Sequence, residues 1–216
     1  AAYYYGLAVE NLRKLHTAAT ENFAKKPFEI SQPFDENLYD WEQNYFREEC
    51  LKSRFGADSA PELDAELARI KSELLAQPLA LLHRDFQSQN IMVDGRKISI
   101  IDFQGMRLGC ALYDLASLLC DPYVELPDEL VDDLLRLYFR GKPSDAQMRI
   151  FRCAACERLM QALGAFGFLS IKRGKSEYAN YIAPALERLA KNAELCGFDA
   201  LKTTAEQCLK KAQNQK

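Results

Sequence analysis

The sequence predicts an α+β fold that is mostly α-helical with one small β-hairpin, and three observations carry that expectation. Apolar residues recur at helical spacing through most of the 216-residue chain. In one place two short β-favouring runs, Ile91-Met92-Val93 and Ile98-Ser99-Ile100-Ile101, flank the strong turn signal Asp94-Gly95. The composition, 48% apolar and 27% charged, is that of a globular chain with enough apolar matter for one sizeable core, so residues 1–216 are expected to form a single domain.

Taken in order, Tyr3 to His16 reads as a helix with Leu7, Leu12 and Leu15 near one face and Val9 beside them. Tyr3, Tyr4 and Tyr5 suit a partly buried interface better than a ligand stack. His16 has no neighbour at metal-ligand spacing, so a structural role is expected of it. Residues 24 to 36 hold Pro27 and Pro33 and read as an irregular connector. Asn37 to Phe55 returns to helical spacing through Leu38, Trp41, Tyr45 and Phe46. Ser59-Ala60-Pro61-Glu62 has capping-box spacing with proline in the first turn. Leu63, Leu67, Ile70 and Leu74 follow on one face until Pro78 closes that helix. It delivers the apolar run Leu79-Ala80-Leu81-Leu82. Beyond the hairpin, Asp114 stands at the start of an apolar helix over Leu115 to Leu119, where it can act as a cap. Asp128 to Phe139 forms a helix stopped by Gly141-Lys142-Pro143. Ser144 opens a long helix through about Phe168, Ser176 to Cys196 forms another before Gly197, and a polar helix runs into a mildly basic tail with Lys210, Lys211 and Lys216.

The chemistry is concentrated between Leu81 and Gly105. His83-Arg84-Asp85 is followed after four residues by Asn90, the catalytic-loop pattern of the protein-kinase signature, and Asp102-Phe103 stands where that signature places a metal-binding aspartate. Phosphoryl transfer asks little covalent work of a protein beyond positioning an acceptor hydroxyl and neutralising phosphate charge. Asp85 is the candidate to receive or orient the hydroxyl. Mg²⁺ takes oxygen ligands, few of them from protein, and the Asn90 amide and Asp102 carboxylate can supply two. Folding the hairpin about its turn pairs residues whose numbers sum to roughly 191 to 192, which lands Asn90 and Asp102 side by side at its open end.

These residues resemble the aminoglycoside phosphotransferase and choline kinase superfamily of small-molecule kinases, which share the protein-kinase fold. Tyr113-Asp114-Leu115-Ala116 is similar to a further signature of that superfamily. The wording from Asp85 to Asn90, Asp102-Phe103-Gln104-Gly105, Asp121-Pro122-Tyr123-Val124 and Trp41-Glu42 with Tyr45-Phe46 is most similar to the bacterial anomeric N-acetylmuramate and N-acetylglucosamine kinases of cell-wall recycling. The likeness runs from near residue 1 to roughly residue 140 and weakens beyond it.

The resemblance implies transfer of the γ-phosphoryl of ATP, with Mg²⁺, to a hydroxyl of a small molecule. The favoured acceptor is an N-acetylated amino sugar phosphorylated at its 1-position, with an aminoglycoside or choline as the alternative. It implies that His83 holds the catalytic loop by hydrogen bonds and packing and that Asp114 braces the loop from behind; Arg84, a supporting residue beside them, can pair with an acid or approach phosphate. Trp41 and Glu42 become candidates for an acceptor pocket, against the plainer reading of a helix packing its aromatics in the core. The superfamily also has an N-terminal lobe with a phosphate-covering loop, yet Gly6 and Gly56 are the only glycines before residue 83. The chain therefore reads as a kinase-like C-terminal lobe without its N-terminal lobe, excised or a natural fragment, and inactive alone. A non-catalytic, pseudokinase-like binding module is the reading from another class.

A net charge of −3 offers no electrostatic footprint for nucleic acid. No apolar run approaches the roughly 20 residues that span a bilayer, and the start has no signal-peptide layout, so a cytoplasmic protein without membrane or nucleic-acid partners is expected. Seven cysteines, an odd number scattered through helices, do not read as a disulfide framework. Cys153-Ala-Ala-Cys156 has no second pair or histidine beside it and is expected to pack in the core.

Overall fold

A computed structural model describes residues 2–214, so Lys216 of the basic tail lies outside the described residues. Helix α1 (Ala2–Lys14) runs through a π-helical turn (Leu15–Ala19) into α2 (Thr20–Lys25), and α3 (Glu36–Tyr45) continues as a π-helical segment (Phe46–Arg54). Helix α4 (Pro61–Leu75) leads to the strands β1 (Leu79–Leu82), β2 (Ile91–Asp94), β3 (Lys97–Ile100) and β4 (Arg107–Cys110). The helices α5 (Leu112–Leu119), α6 (Asp128–Phe139), α7 (Asp145–Ile171), α8 (Ile182–Cys196) and α9 (Asp199–Gln213) complete the chain. Tight 3-10 turns occupy Ser88–Asn90, Phe103–Gly105 and Ser176–Tyr181. The fold is α+β and mostly helical, with small antiparallel sheets. It divides into two compact units, Ala1–Asp35 with Gln77–Phe151, and Glu36–Ala76 with Arg152–Lys216.

In the first unit, α1 buries Ala8, Val9 and Leu12, β1 buries Leu81 and Leu82, and α5 is buried from Tyr113 to Leu119. The hairpin has the simple register implied by its turn, Ile91 opposite Ile100 and Asp94 opposite Lys97. Gly95 takes the left-handed φ of 56° that the turn requires. The Tyr3 and Tyr4 hydroxyls donate to the turn carbonyls of Arg96 and Gly95 at 3.2 and 2.9 Å, so these tyrosines fasten α1 to the hairpin. A second pairing, β1 with β4 and Leu82 opposite Arg107, is absent from the sequence expectation because Arg-Leu-Gly-Cys gives no β signal. The connector before α3 is irregular, yet the Ser31 and Phe34 amides donate to Met106 and Leu108 and lay it along β4.

The first helix also continues past His16. The π-turn inserts one residue into the helical ladder, and such insertions re-aim side chains. The Thr20 hydroxyl donates to the Leu15 carbonyl at 2.9 Å and accepts the Leu81 N–H at 2.9 Å, tying this turn to β1.

The second unit packs Phe46 and Leu51, the α4 stripe Leu63, Leu67, Ile70 and Leu74, and Leu186, Leu189 and Leu201 from the last two helices. Proline stands in the first turn of α4 as expected, but the residue at the cap is Ala60, and Ser59 instead donates to Asp64 Oδ1 at 2.7 Å. That bond, ahead of the Arg47 guanidinium, holds the Asp64 carboxyl below its ordinary range. In the first unit, a reciprocal capping box forms at the start of α7, where the Ser144 amide meets Gln147 Oε1 and the Gln147 amide meets the Ser144 hydroxyl. Cys153 and Cys156 are fully buried free thiols, as packing residues should be. Among the described residues no helix is long and apolar enough to cross a membrane.

Candidate active site

The site is built in the first unit on the segment between β1 and β4. Asp114 is its deepest charge, with no solvent exposure. Rather than capping its own helix, whose N-cap is Ala111, it accepts the backbone N–H of His83 on Oδ2 at 2.6 Å and of Arg84 on Oδ1 at 2.8 Å. Consecutive amides converge on one carboxylate only if the chain turns sharply, and Arg84 does so with a left-handed φ of 74°. Such a conformation costs on the order of 1–3 kcal/mol and persists where neighbours over-determine it. Here the buried carboxylate does so.

His83 is buried and joins the loop to the hairpin: Nε2 donates to the Ile101 carbonyl at 3.0 Å, and the ring meets Phe86 edge-on at 5.6 Å. Its Nδ1 has no hydrogen-bond partner among the described residues. Buried and bonded across to the hairpin, the imidazole is a strut between the loop and Ile101. Asp85 follows, and Asn90 Nδ2 donates both to its carbonyl at 2.9 Å and to its carboxylate at 3.2 Å, while Gln87 Nε2 approaches the same carboxylate oxygen at 3.3 Å.

The hairpin register continues one step beyond the strands, because the Ile101 N–H donates to the Asn90 carbonyl at 3.0 Å. Asp102 is therefore the next residue along from Asn90's backbone partner. It adopts a left-handed φ of 63° at the head of the Phe103–Gly105 turn, and its exposed carboxylate meets no donor or cation among the described residues. The unengaged Asp102 carboxylate and the Asn90 amide oxygen are hard oxygen donors of the kind that fits Mg²⁺.

Two further features escaped the sequence. His16 donates through Nε2 to Asp114 Oδ2 at 3.3 Å and lies 2.7 Å through Nδ1 from the Tyr138 hydroxyl. Burial, and after it the Asp114 charge, push the Tyr138 phenol above its ordinary value, so Tyr138 keeps its proton. Asp121, quoted in sequence only as part of a motif, accepts the Ser88 N–H at 2.8 Å. Neither pairing had a sequence signal, since the partners lie far apart in the chain. Trp41 and Glu42 belong to the second unit. Trp41 is 51% exposed and stacks on Tyr45 at 5.1 Å, whereas Glu42 has no exposed surface and so offers no face to a ligand in this structure.

Residues 1–151 match the model of the phosphotransferase enzyme family. An N-acetylmuramate/N-acetylglucosamine kinase of Neisseria meningitidis is 33% identical over 153 residues, covering 60% of this chain and 46% of that protein. The protein of the same name from Pseudomonas putida is 27% identical over 194 residues, covering 80% and 57%. The chain thus spans about half the length of the curated relatives it matches. Among solved structures, a choline/ethanolamine kinase family protein from Mesorhizobium loti aligns with a TM-score of 0.62 at 18% identity, over 94% of this chain and 66% of that one. A Plasmodium vivax ethanolamine kinase aligns at 0.60 and 18%, over 89% and 60%. These two likenesses establish a kinase-like fold and carry no information on substrate.

Proposed function

From a chain that belongs to the phosphotransferase enzyme family, we propose a small-molecule kinase that, as part of its whole protein, transfers the γ-phosphoryl of ATP to the 1-hydroxyl of an N-acetylated amino sugar. The observation that carries this reading is the Asn90 amide bonded to Asp85, one hairpin step from Asp102. Asp85 receives or orients the acceptor hydroxyl, and the Asn90 bond fixes which way its carboxylate faces. Asn90 and Asp102 would hold Mg²⁺, which when bound offsets the charge of the phosphates. Asp114 and His83 keep the loop in place, and Arg84 supplies the turn that lets them. The sugar is favoured by the names of the curated relatives. Within the second unit, the exposed face of Trp41 can stack on a sugar ring, whereas Glu42 has no surface to offer one. Residues 1–216 would form one lobe, with the phosphate-covering parts supplied by a further lobe. Seven buried free thiols suit the cytoplasm.

The test is acceptor-dependent ADP release by the intact protein with N-acetylmuramate, N-acetylglucosamine, an aminoglycoside and choline, in wild type, Asp85→Ala and Asp102→Ala. Turnover is expected with an N-acetyl sugar, falling at least about 100-fold in Asp85→Ala. Asp102→Ala should abolish metal-dependent turnover without unfolding the protein, because the exposed carboxylate bonds nothing among the described residues and the cost is confined to the left-handed φ that alanine bears less well. Turnover with choline alone would replace the sugar reading, and silence with every acceptor would favour the binding module.

A further inference from the structure

Asp121 sits just beyond the end of α5, where a buried carboxylate is poorly placed. It is 2% exposed, and the last carbonyls of a helix present negative charge to it. Burial there is unfavourable unless donors compensate. Two backbone amides do: Tyr123 donates to Oδ1 at 2.9 Å and Ser88 to Oδ2 at 2.8 Å. The first bond is a local turn closed by the residue two positions on, of the kind aspartate makes in many loops. The second is not local, since it reaches back across the chain to the turn that ends in Asn90.

The two carboxylates of α5 therefore act as a pair. Asp114, in its first turn, holds the amides of His83 and Arg84 before Asp85, and Asp121, past its last turn, holds the amide of Ser88 after it. They stand seven positions apart, and the buried helical stretch Leu115 to Leu119 between them is a spacer whose length does not vary. We propose that Asp121 is a positioning residue for phosphotransfer: it fixes the far end of the catalytic loop, so that Asn90 meets Asp85. The catalytic meaning rests on the proposed function, while the clamp itself does not.

Two variants of the intact protein separate the clamp from the local turn. Asp121→Asn keeps one acceptor oxygen and sets an amide donor where the other was. Asp121→Ser keeps the means to close the local turn but is too short to reach Ser88. In both, exchange of the Ser88 amide with deuterium is expected to speed up by about tenfold or more, while the protein stays folded with Tm lowered by only about 2–8 °C. The kcat for the accepted sugar should fall about 10- to 100-fold, with its KM held within about threefold. Unchanged Ser88 exchange in both variants overturns the inference, as does unchanged kcat where the wild type turns over. A wild type without turnover overturns the proposed function instead, and Ser88 exchange then decides the clamp alone.

Discussion

Glu157 is a poorly accommodated charge in the second unit. Gln43 Nε2 reaches its Oε2 at 2.9 Å, while Oε1 has no hydrogen-bond partner among the described residues. Burial, and after it the negative charge of Glu42, raise its carboxyl well above the ordinary range, opposed by the Gln43 bond and the charge of Arg47. In the unfolded chain the same group titrates near its ordinary value. Between the two values folding must take up a proton, so stability is fullest in acid, where both states hold the proton, and declines as pH rises through that window. Glu157→Gln keeps the shape and removes the charge. It is expected to leave Tm unchanged near about pH 4 and to raise it by about 2–4 °C at neutral pH, as read by thermal melts at both. An equal effect at both values would mean that shape, not charge, governs the site. Nothing in Cys-Glu-Arg-Leu marks Glu157 as buried, because its partner lies 114 residues away. The spacing of Asp85, Asn90 and Asp102 is legible because one loop and one hairpin bring them together. His16 and Tyr138 are silent because they meet only through tertiary packing.

At the scale of elements, local rules are followed where neighbours leave them alone. The Asp94-Gly95 turn and its register, and the proline at the head of α4, follow from turn and cap chemistry. What escapes is imposed from outside: β4 becomes a strand because β1 and the connector supply its partners, and the π-turn at His16 sits where Thr20 bonds both Leu15 and β1. Helix α7 offers the sharpest test of such an imposed constraint. A Cβ at Gly167 would stand 2.3 Å from the Glu49 carbonyl oxygen, a backbone atom that cannot swing aside. Gly167→Ala gains up to about 1 kcal/mol of helix propensity and incurs overpacking of about 1–3 kcal/mol or more. The clash is expected to win, because the obstructing atom belongs to a helical backbone. Thermal melting should therefore give a lower Tm, and a higher Tm would show that α7 and the π-helical segment do not pack this closely.

For the whole molecule the decisive quantity is nucleotide affinity. On the proposed function, Asn90 and Asp102 would hold the metal and Asp114 and Asp121 the loop, all of which would concern the reacting end of a triphosphate. An adenosine triphosphate is a long ligand, and kinases hold the rest of it with a loop over the phosphates and a paired lysine. No Gly-rich segment precedes the catalytic loop, and the curated relatives are about twice as long as their match here. Exposed apolar side chains also flank Asn90 and Asp102, with Met92 54% and Phe103 64% accessible. If a further lobe completes the cleft, as we propose, these 216 residues should bind Mg·ATP at least about tenfold more weakly than the intact protein, a difference of about 1.4 kcal/mol or more. Isothermal titration of both decides it. Equal micromolar affinity would mean that the described lobe holds the nucleotide by itself. Asp102→Ala in the short chain would then have to lose that affinity, and the second lobe would be left with the acceptor rather than the triphosphate.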